Sequence, residues 1–193
     1  MKKKNVAFVI SELSFFKSHR LDLCEELSKE FNVYVITDLN DSDFKYNGIE
    51  FLNLRKRSSK GFLLSSISFL RYLFDLNRLL KKRNFATIFF VTLELSIAGC
   101  ITSINTNKKI INVISGTETL FSKKNTFNQL KKTTIKFVFK LSNLLGRQEF
   151  VFQNKHDYLD FKNKLGFRGK LRLISGNGIN VEKIPYKERT KTN

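Results

Sequence analysis

The segment Ser115-Gly116-Thr117-Glu118 combines the residue types that a polar active-site turn needs. A glycine lets the backbone amides of such a turn approach a substrate, and the carboxylate of Glu118 can accept a proton. The same four residues are also typical of an ordinary turn that continues into a helix cap. The segment is therefore a candidate site with one catalytic and one structural interpretation.

A second candidate is the pair His19-Arg20, which is predicted to open the first helix of the chain. Free backbone N–H groups and the helix dipole attract anions at such a position, and the guanidinium of Arg20 can bind two phosphate oxygens at once. In the alternative interpretation, His19 is an ordinary helix-start residue and Arg20 is a solvated charge. The pair is thus a candidate site for a phosphate-bearing substrate.

Several other kinds of chemistry lack the residues they need. The chain has only two histidines, and no serine or cysteine lies in a nucleophile-elbow pattern. The turn Gly176-Asn177-Gly178 lies at the end of the last predicted strand, whereas a dinucleotide site needs G-x-G-x-x-G after the first. Cys24 and Cys100 lie in apolar helical stretches without a close-spaced partner. We therefore expect buried thiols in a reducing compartment, and neither a disulfide framework nor a metal site.

Strand-like and helix-like patterns alternate along the chain and indicate how these segments are positioned. Short apolar runs predict seven strands, at 5–10, 32–38, 49–54, 86–92, 109–116, 149–154 and 170–178. Helical patterns separate most of them, which predicts an α/β fold: a Rossmann-like parallel β-sheet flanked by helices on both faces. With 41% apolar residues and 20 Phe, the 193-residue chain has material for one core.

Ligands of such sheets bind beyond the carboxyl ends of the strands. This edge would gather the residues that follow each strand, including the segments 11–19, 92–95, 115–120, 153–157 and 176–180. The candidate residues named above fall in these segments, except Arg20, which follows the first of them directly. The sequence therefore predicts one functional edge.

Positive charge is concentrated in two stretches of the chain. The formal net charge is +18, and residues 55–83 hold nine basic residues and one acid, while 122–148 hold seven and none. In the first stretch, one predicted helix face is apolar and the other is mainly charged: Phe62, Phe69, Leu73, Leu76 and Leu80 against Arg71, Asp75, Arg78 and Lys82. In the second, an apolar stripe lies beside four lysines: Phe127, Leu130, Phe137 and Leu141 beside Lys131, Lys132, Lys136 and Lys140.

Three interpretations of this charge stay open. A basic amphipathic helix can lie in the headgroup region of an anionic membrane, or it can be a core-facing helix with a solvated basic face. Codon drift toward AT-rich sequence also explains an excess of lysine. A nucleic-acid-binding module is less favoured, because no recognised motif of that kind is present and the phenylalanines lie in strand and apolar-helix positions.

Three segments together suggest a family. "FFKSHRLDLCEEL" after the first strand, "FQNKHDYLDF" after the sixth and "LISGNGINVEKI" after the seventh resemble the N-terminal domain of GT-B fold glycosyltransferases. The likeness is to the group 1 (family 4-like) retaining type that builds bacterial capsule, O-antigen (lipopolysaccharide) and other lipid-linked glycans. It spans about residues 5–184, so we expect an acceptor-side domain over 1–184 and the start of an interdomain linker over 185–193.

The resemblance implies roles for particular residues. Glu118 is the expected catalytic residue. The expected substrate-binding residues are His19, Arg20, Gly116, Thr117, Gln153, Asn154, Asp157, Asn177 and Gly178. No metal and no cofactor are implied. Two departures from the family pattern stand out: the first-strand loop "SELSFFKSH" lacks glycine, and 115–118 replaces a histidine that many relatives carry after the fifth strand.

The resemblance also implies partners. A nucleotide-sugar donor would bind mainly to a C-terminal domain that is absent here and would act in cis or in trans. The acceptor would be lipid-linked or a saccharide, and an anionic membrane surface is a further expected partner, whereas nucleic acid is not. The chain alone is expected to be inactive, and a non-catalytic acceptor-binding subunit is the alternative. Because the first apolar run of the chain is too short for a signal peptide, we expect the protein in the cytoplasm. With an anionic membrane surface as a partner, its expected position is peripheral, on the inner face of the cell membrane.

Overall fold

A computed structural model describes residues 3–39, 44–54, 66–104, 106–114, 126–145, 148–164, 167 and 169–176. Its seven strands form one sheet in the order β3-β2-β1-β4-β5-β6-β7, and every neighbouring pair is parallel. The strands are β1 (Asn5–Val9), β2 (Asn32–Thr37), β3 (Ile49–Asn53), β4 (Phe85–Val91), β5 (Lys109–Ile114), β6 (Gln148–Phe152) and β7 (Leu171–Leu173). All seven strands, and the parallel α/β sheet, were predicted from the sequence and are confirmed.

Six helices occur in the described part of the chain. They are α1 (Leu13–His19), α2 (Leu21–Ser28), α3 (Ser66–Lys82), α4 (Leu93–Ile104), α5 (Thr126–Leu145) and α6 (Lys155–Lys164). One apolar cluster joins α1 and α2 to one face of β1, β2 and β3. Two others join α3, α4, α5 and α6 to the opposite face. The predicted placement of helices on both faces is thus confirmed.

The start of the first helical region was predicted wrongly. His19 is the last residue of α1, and Arg20, with φ −131°, is the N-cap residue of α2, so the pair His19-Arg20 precedes the second helix and not the first. An earlier helix forms because Leu13 and Phe16, three residues apart, both bury their side chains in the cluster with α2. Only these two residues of α1 are buried, which is too few for a helical period to be visible in the sequence.

The apolar face predicted for α3 is confirmed where the structure describes it: Leu73, Leu76 and Leu80 are buried, and Phe69 packs against them. The stripe predicted for α5 is wrong in its described part: Phe137 is 65% exposed, and the buried face is formed by Ile135, Phe139 and Ser142. The side chains of Phe127 and Leu130, also predicted for this stripe, lie outside the described part.

A polar chain crosses the core beneath α4 and α5. Asn112 of β5 donates from Nδ2 to Oε1 of Gln148 at 3.0 Å, and Gln148 donates in turn to the hydroxyl of Ser142. Ser142 donates to the carbonyl of Phe139. All three polar side chains are buried. Because burying an amide without a hydrogen-bond partner destabilises the folded state, these three hydrogen bonds fix how β5, β6 and α5 pack together.

Candidate functional site

The order of the strands defines a crevice at one edge of the sheet. From β1 the chain proceeds outward to β2 and β3, then returns to β4 on the other side of β1. The carboxyl ends of β1 and β4 therefore form a topological switch point, where ligands of open parallel sheets bind. Ser11 and Glu12 follow β1 at this point, and Thr92 and Glu94 follow β4.

Thr92 holds a strained backbone at the switch point. Its φ is 102°, in the region that β-branched residues rarely adopt. Hydrogen bonds on both sides hold it there: its N–H donates to the carbonyl of Val113 at 3.0 Å, and its own carbonyl accepts from the N–H and hydroxyl of Ser96. Such outliers cluster at functional sites. Sequence reasoning could not find this strain, because a threonine carries no local signal for a positive φ.

Two carboxylates at this edge were also not assigned a role from the sequence. Glu12 lies immediately before α1 and Glu94 lies in the first turn of α4, and both side chains are exposed. Either could accept a proton from a bound hydroxyl. Among the described residues, no three His, Cys, Asp or Glu side chains are grouped in a way that could hold a metal ion.

His19 and Arg20 lie in different environments. His19 is exposed, stacks on Phe15 with ring centroids 4.6 Å apart, and places Nδ1 2.6 Å from the hydroxyl of Ser18. Arg20 is only 4% exposed, and this burial lowers the pKa of its guanidinium, an effect that Cys24 partly offsets. The interpretation of Arg20 as a solvated charge is therefore wrong, and the structure does not bring the two side chains together at a common surface.

Asn154 and Asp157 form a helix cap. The Oδ1 of Asn154 accepts the backbone N–H of Asp157 at 2.7 Å, and its Nδ2 donates to the carboxylate of Asp157 at 2.8 Å. The first bond satisfies one of the open N–H groups at the start of α6, and the second, between the two side chains, holds the Asn154 amide in place. Asn154 is exposed and Asp157 is buried, so only Asn154 faces solvent at the edge. Their contacts within the chain are structural.

The segments after β6 and β7 are joined at the same edge. Gly176 donates its backbone N–H to the carbonyl of Gln153 at 3.1 Å, and Ile174 donates to Phe152 at 2.8 Å. Gly176 has φ 72°, which glycine adopts without strain. The remaining predicted site residues lie outside the described part of the chain: Gly116, Thr117, Glu118, Asn177 and Gly178. Along the sequence, the last described residue before Gly116 is Ile114, which ends β5 at this edge.

Several glycosyltransferases of known structure share this fold. A sucrose-phosphate synthase structure from Thermosynechococcus elongatus superposes with a TM-score of 0.63 at 15% identity, over 94% of this chain and 93% of that chain. A glycosyltransferase from Rickettsia africae superposes with a TM-score of 0.60 at 13% identity, over 91% of this chain and 43% of that chain. A UDP-glucosyltransferase from Polygonum tinctorium superposes with a TM-score of 0.51 at 13% identity, over 99% of this chain and 56% of that chain. No protein-family model and no curated protein sequence matches the chain.

At these identities the similarity concerns the fold. The chain has the Rossmann-like fold of a glycosyltransferase-like domain, with the sheet and flanking helices that its GT-B neighbours share. It spans about half the length of the Rickettsia and Polygonum proteins. The glycosyltransferase resemblance seen in the sequence is thereby confirmed at the level of the fold.

Proposed function

We propose that this chain is the acceptor-side, N-terminal domain of a retaining GT-B glycosyltransferase of the group 1 type. The observation that carries the proposal is the hydrogen bond from Gly176 to Gln153. It joins two of the three segments that resemble the family, one after β6 and one after β7, at the carboxyl edge of the sheet. The fold similarity to glycosyltransferases supports the same assignment.

In the proposed reaction, a hydroxyl of the acceptor forms a bond to the anomeric carbon of the sugar. The bond between that carbon and the nucleotide diphosphate breaks, and the diphosphate leaves with the bonding electrons. The hydroxyl proton passes to a base, for which Glu118 is the candidate, and no metal is required. Glu12 and Glu94, which follow β1 and β4 at the switch point, are two further candidates for this base.

The partners follow from the same proposal. The acceptor is a lipid-linked or free saccharide of the kind used to build bacterial capsule or lipopolysaccharide. The nucleotide-sugar donor binds mainly to a second domain, supplied in cis or in trans, so that the chain alone does not turn over substrate. In the described part of the chain, no helix is both long and apolar enough to cross a bilayer. We propose a peripheral position on the inner face of the cell membrane.

The acceptor assignment can be tested by NMR on the 22.5 kDa chain. Saccharides, free or linked to a short-chain lipid pyrophosphate, should shift amide signals at Ser11, Thr92 and Gln153 and leave those at the opposite edge, such as Lys109, unchanged. UDP-sugars should shift few signals and should not be hydrolysed or transferred. Turnover by the chain alone would refute the need for a second domain. Binding of donor without acceptor would overturn the acceptor-side assignment.

A further inference from the structure

The outward face of α3 carries three large apolar side chains. Ile67, Leu70 and Phe74 are 66%, 63% and 69% exposed. Their spacing of three and four residues places them on one side of the helix, opposite the buried Leu73 and Leu76. Single exposed hydrophobic residues are common, but three in a row on one helix face mark an interaction surface.

Four cations share this face of α3: Arg71, Arg78, Lys81 and Lys82. Within the described ranges, none of them forms an ion pair with an acidic side chain. Asp75 is the only acid of the helix. We define the outward surface of α3 as these four cations together with Ile67, Leu70 and Phe74.

A groove of about 1040 Å³ runs beside the carboxyl-terminal half of this surface, and Phe74, Arg78, Lys81 and Lys82 line it. Two further cations in its wall already have partners. Arg83 lies 2.6 Å from the carboxylate of Glu50, and Lys108 donates to the carbonyls of Leu80 and Arg83. The cations that remain for an external ligand are therefore those of α3.

The neighbouring helices extend the same side of the molecule. α4 lies against α5 and also contacts α3, all three on one face of the sheet. Exposed apolar side chains also occur on these two helices, at Ile104, Phe137 and Leu144, and Lys140 is exposed beside the last two. Six of the ten large apolar side chains exposed in the described ranges belong to this one layer. This concentration argues against random scatter over the surface.

We infer that the outward surface of α3 docks the domain on an anionic lipid bilayer. Its apolar side chains would enter the boundary between headgroups and acyl chains, where burying each one is favourable. Its cations would lie at the lipid phosphates, and each basic residue near such a surface adds about 1 kcal/mol to binding. Nucleic acid would attract the cations but would gain nothing from Ile67 and Leu70. The combination of aliphatic side chains with cations that form no ion pair within the described ranges therefore favours a bilayer.

The direction of α3 connects this surface to the candidate site. The helix ends at Lys82, and β4 begins at Phe85, so its carboxyl end lies at the amino edge of the sheet. The amino-terminal half, with Ile67 and Leu70, lies toward the carboxyl edge. A bilayer on this surface would thus bring the acyl chain of a lipid-linked acceptor near the switch point. This inference rests on the membrane position proposed above and names the surface that makes the contact.

Vesicle flotation tests the inference with two variants of matched size. The first, Ile67→Gln, Leu70→Gln and Phe74→Gln, removes the apolar side chains. The second, Arg78→Gln, Lys81→Gln and Lys82→Gln, removes three cations. Each variant should weaken binding to vesicles with 30% anionic phospholipid at least tenfold. For the cation variant, three cations at about 1 kcal/mol each exceed the 1.4 kcal/mol of a tenfold change. For the apolar variant, the loss comes from the three side chains that no longer enter the acyl region. All six side chains lie on the outward face, so circular dichroism and urea unfolding should show native folding.

Matched controls keep the result specific. Lys4→Gln, Lys17→Gln and Lys45→Gln remove three exposed cations from other parts of the molecule and should bind like the parent. Binding of the parent should fall as salt rises and should be weak on neutral vesicles.

The inference would be overturned if both variants bound as tightly as the parent, or if the parent did not bind anionic vesicles. Oligonucleotide binding lost only in the cation variant, without vesicle binding, would point to nucleic acid instead. Flotation needs no donor domain, so it can fail independently of glycosyl transfer.

Discussion

The backbone N–H of Gly176 donates a hydrogen bond of 3.1 Å to the carbonyl oxygen of Gln153. This bond continues the pairing of β6 with β7 beyond the last residues of both strands. It holds the turn after β7 against the residue that precedes the cap of α6. Two segments that are more than twenty residues apart are therefore fixed side by side at the carboxyl edge.

Gly176→Ala should weaken this arrangement. The positive φ of 72° favours glycine, and for a residue with a side chain this backbone conformation costs about 1–2 kcal/mol. We expect the free energy of unfolding, measured in urea, to fall by about that amount. Ser175→Ala, at the exposed neighbouring position, is the matched control and should change stability by less than about 0.5 kcal/mol. Equal stability of Gly176→Ala and the parent would show that the turn adapts without strain.

Asn154→Ala should destabilise α6, because the Asn154 side chain both accepts the N–H of Asp157 and donates to its carboxylate. Removal of an N-cap side chain costs about 0.5–2 kcal/mol. Asn154→Asp keeps the acceptor for the N–H but loses the donor to Asp157, so it should recover part of the loss only. Thermal unfolding of the three proteins checks this order. An unchanged midpoint in Asn154→Ala, with acceptor binding lost, would instead assign Asn154 to the substrate.

The fold was predictable because strands of a parallel sheet that are buried on both faces read as continuous apolar runs. Residues 86–91 are an example, since they belong to the central strand of the sheet. The position of α1 was not predictable in the same way. Its buried residues, Leu13 and Phe16, are too few for a helical period to stand out, and Arg20, a charged residue, is buried at its end.

The candidate site was predictable only in outline. The rule that ligands bind at the carboxyl edge pointed to segments at one edge of the sheet. It did not point to the strained Thr92 or to the cap formed by Asn154, because both depend on backbone geometry. The charged part of the outward surface of α3 was predicted, whereas its apolar part was not. A helix that is apolar on two faces gives an ambiguous pattern, and the stripe with Leu73 and Leu76 alone already satisfies a helical period.

Gly99→Ala should disturb the polar chain beneath α4. A methyl group at Gly99 would overlap with Oδ1 of Asn112 and with the ring of Phe90. Overpacking of a core costs about 1–3 kcal/mol, which outweighs the roughly 1 kcal/mol that alanine adds to a helix. We expect a net decrease in the free energy of unfolding.

Coupling between Gly99 and Asn112 separates a local clash from a general loss of packing. Asn112→Ala alone removes the donor to Gln148 and should cost about 1–3 kcal/mol. In the double variant the alanine at 99 no longer meets the Asn112 side chain, so its total loss should be smaller than the sum of the two single losses. Additive losses in urea unfolding would show that Phe90, and not Asn112, is the obstacle.

Cys24 and Cys100 should make the protein sensitive to alkali. Burial raises the pKa of both thiols to about 12, although Arg20 partly offsets the effect at Cys24. An unfolded thiol ionises near pH 8.5, so above that pH the unfolded state loses protons that the folded state keeps. The stabilising contribution of the two thiols is therefore complete below about pH 8 and declines as pH rises toward 12.

The free energy of unfolding of the parent should fall by up to about 1.4 kcal/mol per thiol for each pH unit above 9. In the variant Cys24→Ala, Cys100→Ala it should fall correspondingly less. Urea unfolding at pH 8, 9 and 10 measures both slopes, and their difference isolates the thiols from other groups that titrate in this range. Parallel slopes would mean that the folded protein ionises these thiols as readily as the unfolded chain does.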